Sequence, residues 1–188
     1  MNDLLSMLSG GDIRSDGEAD RVAEIVLGNP HMIEDLVQGL AVTDDVVRGR
    51  SAHALEKIAR IRPEWLLDYL DWMIELSKDD PLPMVRWHLA MIFADMAGYE
   101  DRVAELVDCL TGLLLDSSVF VRSWTISSLC IIARLYPEHN AGVMQQISKY
   151  REDPSTAIRA RVRKALEVLT DPNAPMPKGW VKSERLVV

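Results

Sequence analysis

Few residues in this chain could hold a metal or move a proton. There are four histidines (His31, His53, His88 and His139) and two cysteines (Cys109 and Cys130). His31 with Glu34, and His53 with Glu56, stand three residues apart, which puts two ligands on one face of a helix. The first pair falls on the second helix of a helical hairpin and the second pair on a first helix, so they face different ways. No metal site is expected from them. Neither cysteine belongs to a Cys-x-x-Cys or Cys/His spacing, and both sit in apolar helical runs. They read as buried thiols in a reducing compartment. Gly10-Gly11 is an isolated pair rather than a phosphate loop, and no nucleophile motif accompanies the histidines. The expectation is a chain with no catalytic residue, no metal and no cofactor.

Arginines are what recurs. Four segments align without gaps: VVRGRSAHAL from Val46, MVRWHLAMIF from Met84, FVRSWTISSL from Phe120 and AIRARVRKAL from Ala157. Each sets an arginine after a β-branched residue, at Arg48, Arg86, Arg122 and Arg159, at intervals of 38, 36 and 37 residues. Seven residues later comes Leu55, Phe93, Leu129 or Leu166. An aspartate stands six residues before three of the arginines, at Asp80, Asp116 and Asp153, and the first unit has Val42 there. Recurrence at one repeat position implies a charged ladder through a stack.

The elements that position these residues follow from pattern and punctuation. First helices are predicted near 17–28, 46–61, 83–97, 119–135 and 155–170, and second helices near 30–41, 63–78, 100–115 and 138–150. Pro30, Pro63 and Pro137 stand at or just before second-helix starts, where a missing N–H costs nothing. Gly98 is placed to end a first helix. Residues 2–9 add a short capping turn. Residues 1–170 are expected to form one domain and residues 171–188 a proline-rich tail.

An Asp-x4-(Val/Ile)-Arg motif, followed by a small and apolar helix at a period near 37, resembles the HEAT repeat family over roughly residues 17–170. The resemblance implies an all-α fold, a right-handed α-α superhelix of about four to five stacked helical hairpins. In that family the motif's aspartate and arginine bridge within and between repeats. By resemblance, Asp80/Arg86, Asp116/Arg122 and Asp153/Arg159 are structural, with Arg48 continuing the ladder. A row of phosphate-binding arginines is the functional alternative.

By the same resemblance, second helices line a concave face. A step of 37 along them gives Glu34, Asp71, Asp108 and Gln145, and one turn earlier His31, Asp68, Glu105 and Gly142. Asp68, Asp71 and Glu75 fall within about 60° of one another on a helical wheel. An acidic band of Glu34, Asp68, Asp71, Glu75, Glu105 and Asp108 is therefore expected. Its ordinary reading is the solvated side of amphipathic helices. Its single sign favours a cationic partner. Trp72 stands beside it, placed either to hold a Lys or Arg by cation–π contact or to pack between repeats.

The net charge is −8, which disfavours phosphate backbones. From Arg151 onward eight basic and five acidic residues give +3, which leaves −11 for residues 1–150. Arg159, Arg161, Arg163 and Lys164 concentrate that charge on the last helix. They cap the array with a polar face, or form a patch for nucleic acid or for another copy's acidic groove. Trp180, Leu186, Val187 and Val188 make the tail's end apolar, so it is expected to fold back rather than serve as a docking peptide.

The function expected is a non-catalytic scaffold or adaptor that holds a protein or basic peptide. Alkylpurine DNA glycosylases are HEAT-like enzymes whose groove is basic, which makes nucleic-acid binding or DNA repair the alternative. Bilin lyases share only the fold, and the third reading is such a lyase or an assembly subunit. HEAT-repeat iron hydroxylases carry His-Glu dipeptides, which this chain lacks. The opening residues, MNDLLSMLSGGD, have no signal-peptide pattern, and no apolar run suits a membrane span. A cytoplasmic location is expected, with a homo-oligomer open.

Overall fold

The computed structural model describes residues 3–183 and 185–186. Among them the chain is all-helical, with ten α-helices and no strand. It divides into two compact units, Met1–Ile92 and Phe93–Val188.

The first unit holds α1 (Asp3–Ser6), α2 (Ala19–Gly28), α3 (Ile33–Gln38), α4 (Asp45–Ala59), α5 (Leu70–Asp79) and most of α6 (Pro83–Asp95). Helix α2 packs on α4, and α1 packs on α3 and α4 with Leu4, Leu5 and Leu8 buried. Asp44 caps α4, its carboxylate accepting from the amides of Val46 and Val47. The loop before α2 closes around Arg50. This buried guanidinium donates to the carbonyls of Leu8, Gly10, Asp12 and Ser15.

The second unit holds the end of α6, then α7 (Val103–Leu113), α8 (Val119–Leu135), α9 (Asn140–Ser148) and α10 (Thr156–Thr170). Helix α8 is its centre, packed by α7, α9 and α10. It buries Ile126, Leu129, Cys130 and Ile132.

The predicted second helices differ in one respect: each begins as a 3-10 turn. These span Pro30–Met32, Pro63–Tyr69, Glu100–Arg102 and Pro137–His139. Each is opened by a bond from residue i+3 to residue i: Met32 to Asn29, Trp65 to Arg62, Arg102 to Tyr99 and His139 to Tyr136. Proline at the first position suits this turn but is not required, since Glu100 occupies that place in one copy. Gly98 does not provide a left-handed cap. Helix α6 stops at Asp95 and runs on as a 3-10 turn through Gly98, whose φ is not positive.

The recurring arginines make one repeated contact. Arg48, Arg86, Arg122 and Arg159 each donate from Nη1 to the carbonyl six residues earlier, those of Val42, Asp80, Asp116 and Asp153. A main-chain acceptor explains why Val42 can replace aspartate in the first unit. The aspartate side chain does other work. Oδ1 of Asp80, Asp116 and Asp153 accepts from the amide two residues on, at Leu82, Ser118 and Ser155. The carboxylates of Asp80 and Asp153 also meet the arginine of the preceding repeat. Arg48 Nε lies 3.0 Å from Asp80 Oδ2, an ion contact without hydrogen-bond alignment, and Arg122 Nη2 lies 3.3 Å from Asp153 Oδ1. Within a repeat the aspartate–arginine link thus runs through the backbone, and the charge pairing runs between repeats.

The tail after α10 lies against its own unit. Arg134 on α8 donates to the carbonyls of Val168, Pro172 and Ala174, and Trp180 is buried at 8% exposure. Expectations placed on Val187 and Val188 lie outside the described residues.

Candidate functional site

Two surfaces carry the residues singled out by charge. The first belongs to the first unit, where α3, the turn Pro63–Tyr69 and α5 present Glu34, Asp68, Asp71, Trp72 and Glu75, all exposed. Trp72 is 38% exposed, so it is a surface residue rather than a packed one. Burial, then the charges of Glu34 and Asp68, raise the Tyr69 hydroxyl above its ordinary value. The charges of these two carboxylates, from different hairpins, thus act on one phenol.

The expected single-sign band is corrected by two intrahelical pairs. Glu75 meets Lys78 at 2.6 Å, and Glu105 meets Arg102 at 2.6 Å. Both cations stand three residues from their acids, a spacing that puts them on the same side of the helix. Glu105 and Asp108 are exposed on α7 in the second unit. Within the first unit the acidic face therefore centres on Glu34, Asp68, Asp71 and Trp72.

The second surface is a cleft of about 470 Å³ in the second unit, lined by Arg151, Glu152, Arg159, Val162, Arg163 and Leu166. Arg159 spends Nη1 on the carbonyls of Asp153 and Pro154. Arg151 and Arg163 are exposed. The cleft thus gathers three arginines and one glutamate around Val162 and Leu166.

The predicted basic patch of Arg159, Arg161, Arg163 and Lys164 is divided by the structure. Arg161 turns inward. It donates to the Ser123 carbonyl and to Ser127 Oγ, and its guanidinium lies 5.1 Å from the Trp124 ring centre and 5.2 Å from that of Trp180. Burial lowers its pKa. It is a clamp for the tail, and it leaves the surface footprint that phosphate binding would need. Lys164 lines a separate groove with Lys178 and Pro177.

One column of the repeat alignment does work that charge and spacing do not announce. The position two residues after each ladder arginine holds Arg50, His88, Trp124 and Arg161. Within each unit these residues reach a neighbour. Arg50 holds the first loop, His88 stacks on His53 at 4.8 Å, and Arg161 stacks on Trp124. The alignment already set them in one column, which was the available signal. His88 Nδ1 faces the Met84 carbonyl at 2.8 Å and Nε2 accepts from Trp87 Nε1, so a neutral imidazole satisfies both atoms. His53 is half-buried, which lowers its pKa, against the pull of Asp16. Burial pushes the Cys130 thiol up to about 12, which leaves no thiolate for chemistry near neutral pH.

Among the described residues no group of three or more His, Cys, Asp or Glu side chains is placed to hold a metal ion. No helix among them is long and apolar enough to cross a membrane. Comparison with protein-family models, with curated proteins and with solved structures gives no match.

Proposed function

We propose that the chain is a HEAT-type helical repeat protein of the cytoplasm. In this reading it is a non-catalytic scaffold or adaptor that holds a cationic protein segment on its acidic face. The observation that carries the reading is the exposed Trp72, preceded in sequence by the exposed carboxylates Asp68 and Asp71, with Glu34 exposed on α3 of the same unit. An indole edged by carboxylates suits a Lys or Arg side chain, because cation–π and ionic attraction then act on one group. The repeat assignment is supported by four arginines that make the same carbonyl contact at intervals near 37 residues. Two buried cysteines, neither in a disulfide, suit a reducing compartment.

The test is a fluorescence-anisotropy titration with a labelled Lys/Arg-rich peptide and a Glu-rich control of equal length. The basic peptide should bind at low salt and weaken as salt rises. The variant Asp68→Asn/Asp71→Asn/Trp72→Ala should lose at least tenfold in affinity. Equal affinity in the variant would remove the face from consideration.

A further inference from the structure

We infer that the basic cleft of one copy receives the acidic face around Trp72 of a second copy, so that the chain associates head to tail. This rests on the reading of that face as a docking surface for a cationic partner, and it names the partner.

The argument starts in the cleft. Arg151, Arg159 and Arg163 share one concavity with Glu152 as their sole counter-charge there. Like charges gathered in one place raise the local potential and favour an anionic surface. The floor of Val162 and Leu166 asks for an apolar group between the anions. The occupant must therefore present carboxylates around a large apolar side chain.

The chain carries that combination itself. Glu34, Asp68 and Asp71 are exposed on the unit that also exposes Trp72, and Asp68 stands one helical turn before that indole. Arginine on indole is also a contact this chain already makes. Arg161 lies between Trp124 and Trp180, and Arg62 lies over Trp65 at 5.9 Å. The charge distribution points the same way, since the basic residues collect after Arg151 and the acid excess lies before it.

The two patches are different surfaces in different units, so the contact is heterologous. Each pair keeps one unused cleft and one unused face, and the assembly extends or closes into a ring. Association built on few charges is weak, fast and salt-sensitive.

Sedimentation equilibrium across micromolar to millimolar protein tests this. The average mass of the wild type should rise with concentration at low salt. It should return to that of one chain at roughly 0.5 M salt, where screening shortens to about 4 Å. Arg151→Glu/Arg163→Glu and Glu34→Lys/Asp68→Lys should each associate at least tenfold more weakly. All four positions are exposed, so unchanged circular dichroism and urea midpoints are the folding control. An equimolar mixture of the two variants pairs the intact face with the intact cleft and the reversed face with the reversed cleft, so it should associate where neither variant does alone. A chain carrying all four reversals should associate again.

A wild type that stays monomeric at low salt overturns the inference. So does association that survives either double variant, or a mixture that fails to pair. The Arg151→Glu/Arg163→Glu variant keeps its acidic face, so its affinity for the Lys/Arg-rich peptide separates the two failures. Peptide binding without self-association leaves the docking face standing and removes the second copy as its partner. Loss of both removes both.

Discussion

Replacing Asp80 probes the ladder that holds consecutive hairpins together. Asp80 is 5% exposed and makes three contacts at once. Its Oδ2 lies 3.0 Å from Arg48 Nε on α4, its Oδ1 accepts from the Leu82 amide before α6, and its carbonyl accepts from Arg86. Asp80→Ala removes the first two contacts and keeps the third. Breaking a buried ion pair costs about 3–5 kcal/mol when the remaining charge has no other partner. Here Arg48 keeps the Asp45 carboxylate at 2.6 Å and the Val42 carbonyl at 3.0 Å, which lowers the expected loss to about 2–3 kcal/mol. Asp80→Asn keeps the bond to Leu82 and should cost roughly half as much. Asp45 is largely exposed, so Asp45→Asn should cost less than about 1 kcal/mol although its ion contact is the shorter one.

Urea unfolding with linear extrapolation reads these differences, with an unchanged slope showing that the denatured state is not the cause. For a chain of this size the Asp80→Ala loss corresponds to a Tm lowered by about 4–12 °C. Arg48→Met added to Asp80→Ala should cost less than the sum of the two, because the second change removes the stranded charge. An Asp80→Ala variant within 1 kcal/mol of wild type, or an Asp45→Asn loss as large as that of Asp80→Ala, would refute the inter-repeat pairing as a source of stability.

Four further outcomes follow from single contacts. Arg161→Ala removes the clamp on Trp180 and should speed tryptic cleavage at half-buried Lys182 at least tenfold, with Arg161→Lys intermediate; unchanged cleavage would mean the tail is held without it. Burial holds the folded His53 below its ordinary 6.5, so the unfolded chain takes up more protons below that pH. Stability is then expected to fall as pH drops from 6.5 through the folded value, and a His53→Gln variant should show a flatter Tm profile between pH 7.5 and 5. Cys130 should resist a thiol reagent at pH 8 until the protein unfolds, because burial has pushed its pKa up to about 12, and rapid labelling of the native protein would contradict that burial. Gly39 has no room for a Cβ, which would overlap Ser51 Oγ and approach Leu5 Cδ2 to 2.8 Å, so Gly39→Ala should cost about 1–3 kcal/mol in urea unfolding.

Much of the helical layout was legible because period and punctuation agree. The apolar spacing after each recurring arginine, with proline at the second-helix starts, places α2, α4, α6, α8 and α10 within a few residues of their observed bounds. The 3-10 openings were not legible, since they depend on a backbone bond rather than on a residue type, as the Glu100 copy makes plain. The ladder was half legible. Sequence spacing links Asp80 to Arg86, but it does not say that the carbonyl takes the bond and the carboxylate turns to Arg48. Lys78 and Arg102 were passed over because the acids were counted along one helix face without the cations three residues away. Arg161 was misplaced because its direction depends on Trp124 and Trp180, which come from other elements and reach it only in the folded unit.

The recurring and the non-recurring residues divide the work. A contact that returns at every step, such as arginine to the carbonyl six residues back, fixes the backbone at each hairpin and cannot vary without disturbing its neighbours. Such a position is poor material for recognition, because it is the same along the chain. Trp72, Glu34 and Asp68 stand outside that pattern, as do Arg151 and Arg163, and each is exposed. Their side chains can change without cost to the ladder, so selection for a partner can act on them alone. The arginine count makes the point within one helix. Arg159 is bound to its loop carbonyls, Arg161 to the tail's tryptophan, and Arg163 remains at the cleft, so only the last is available to a partner without unmaking part of the fold.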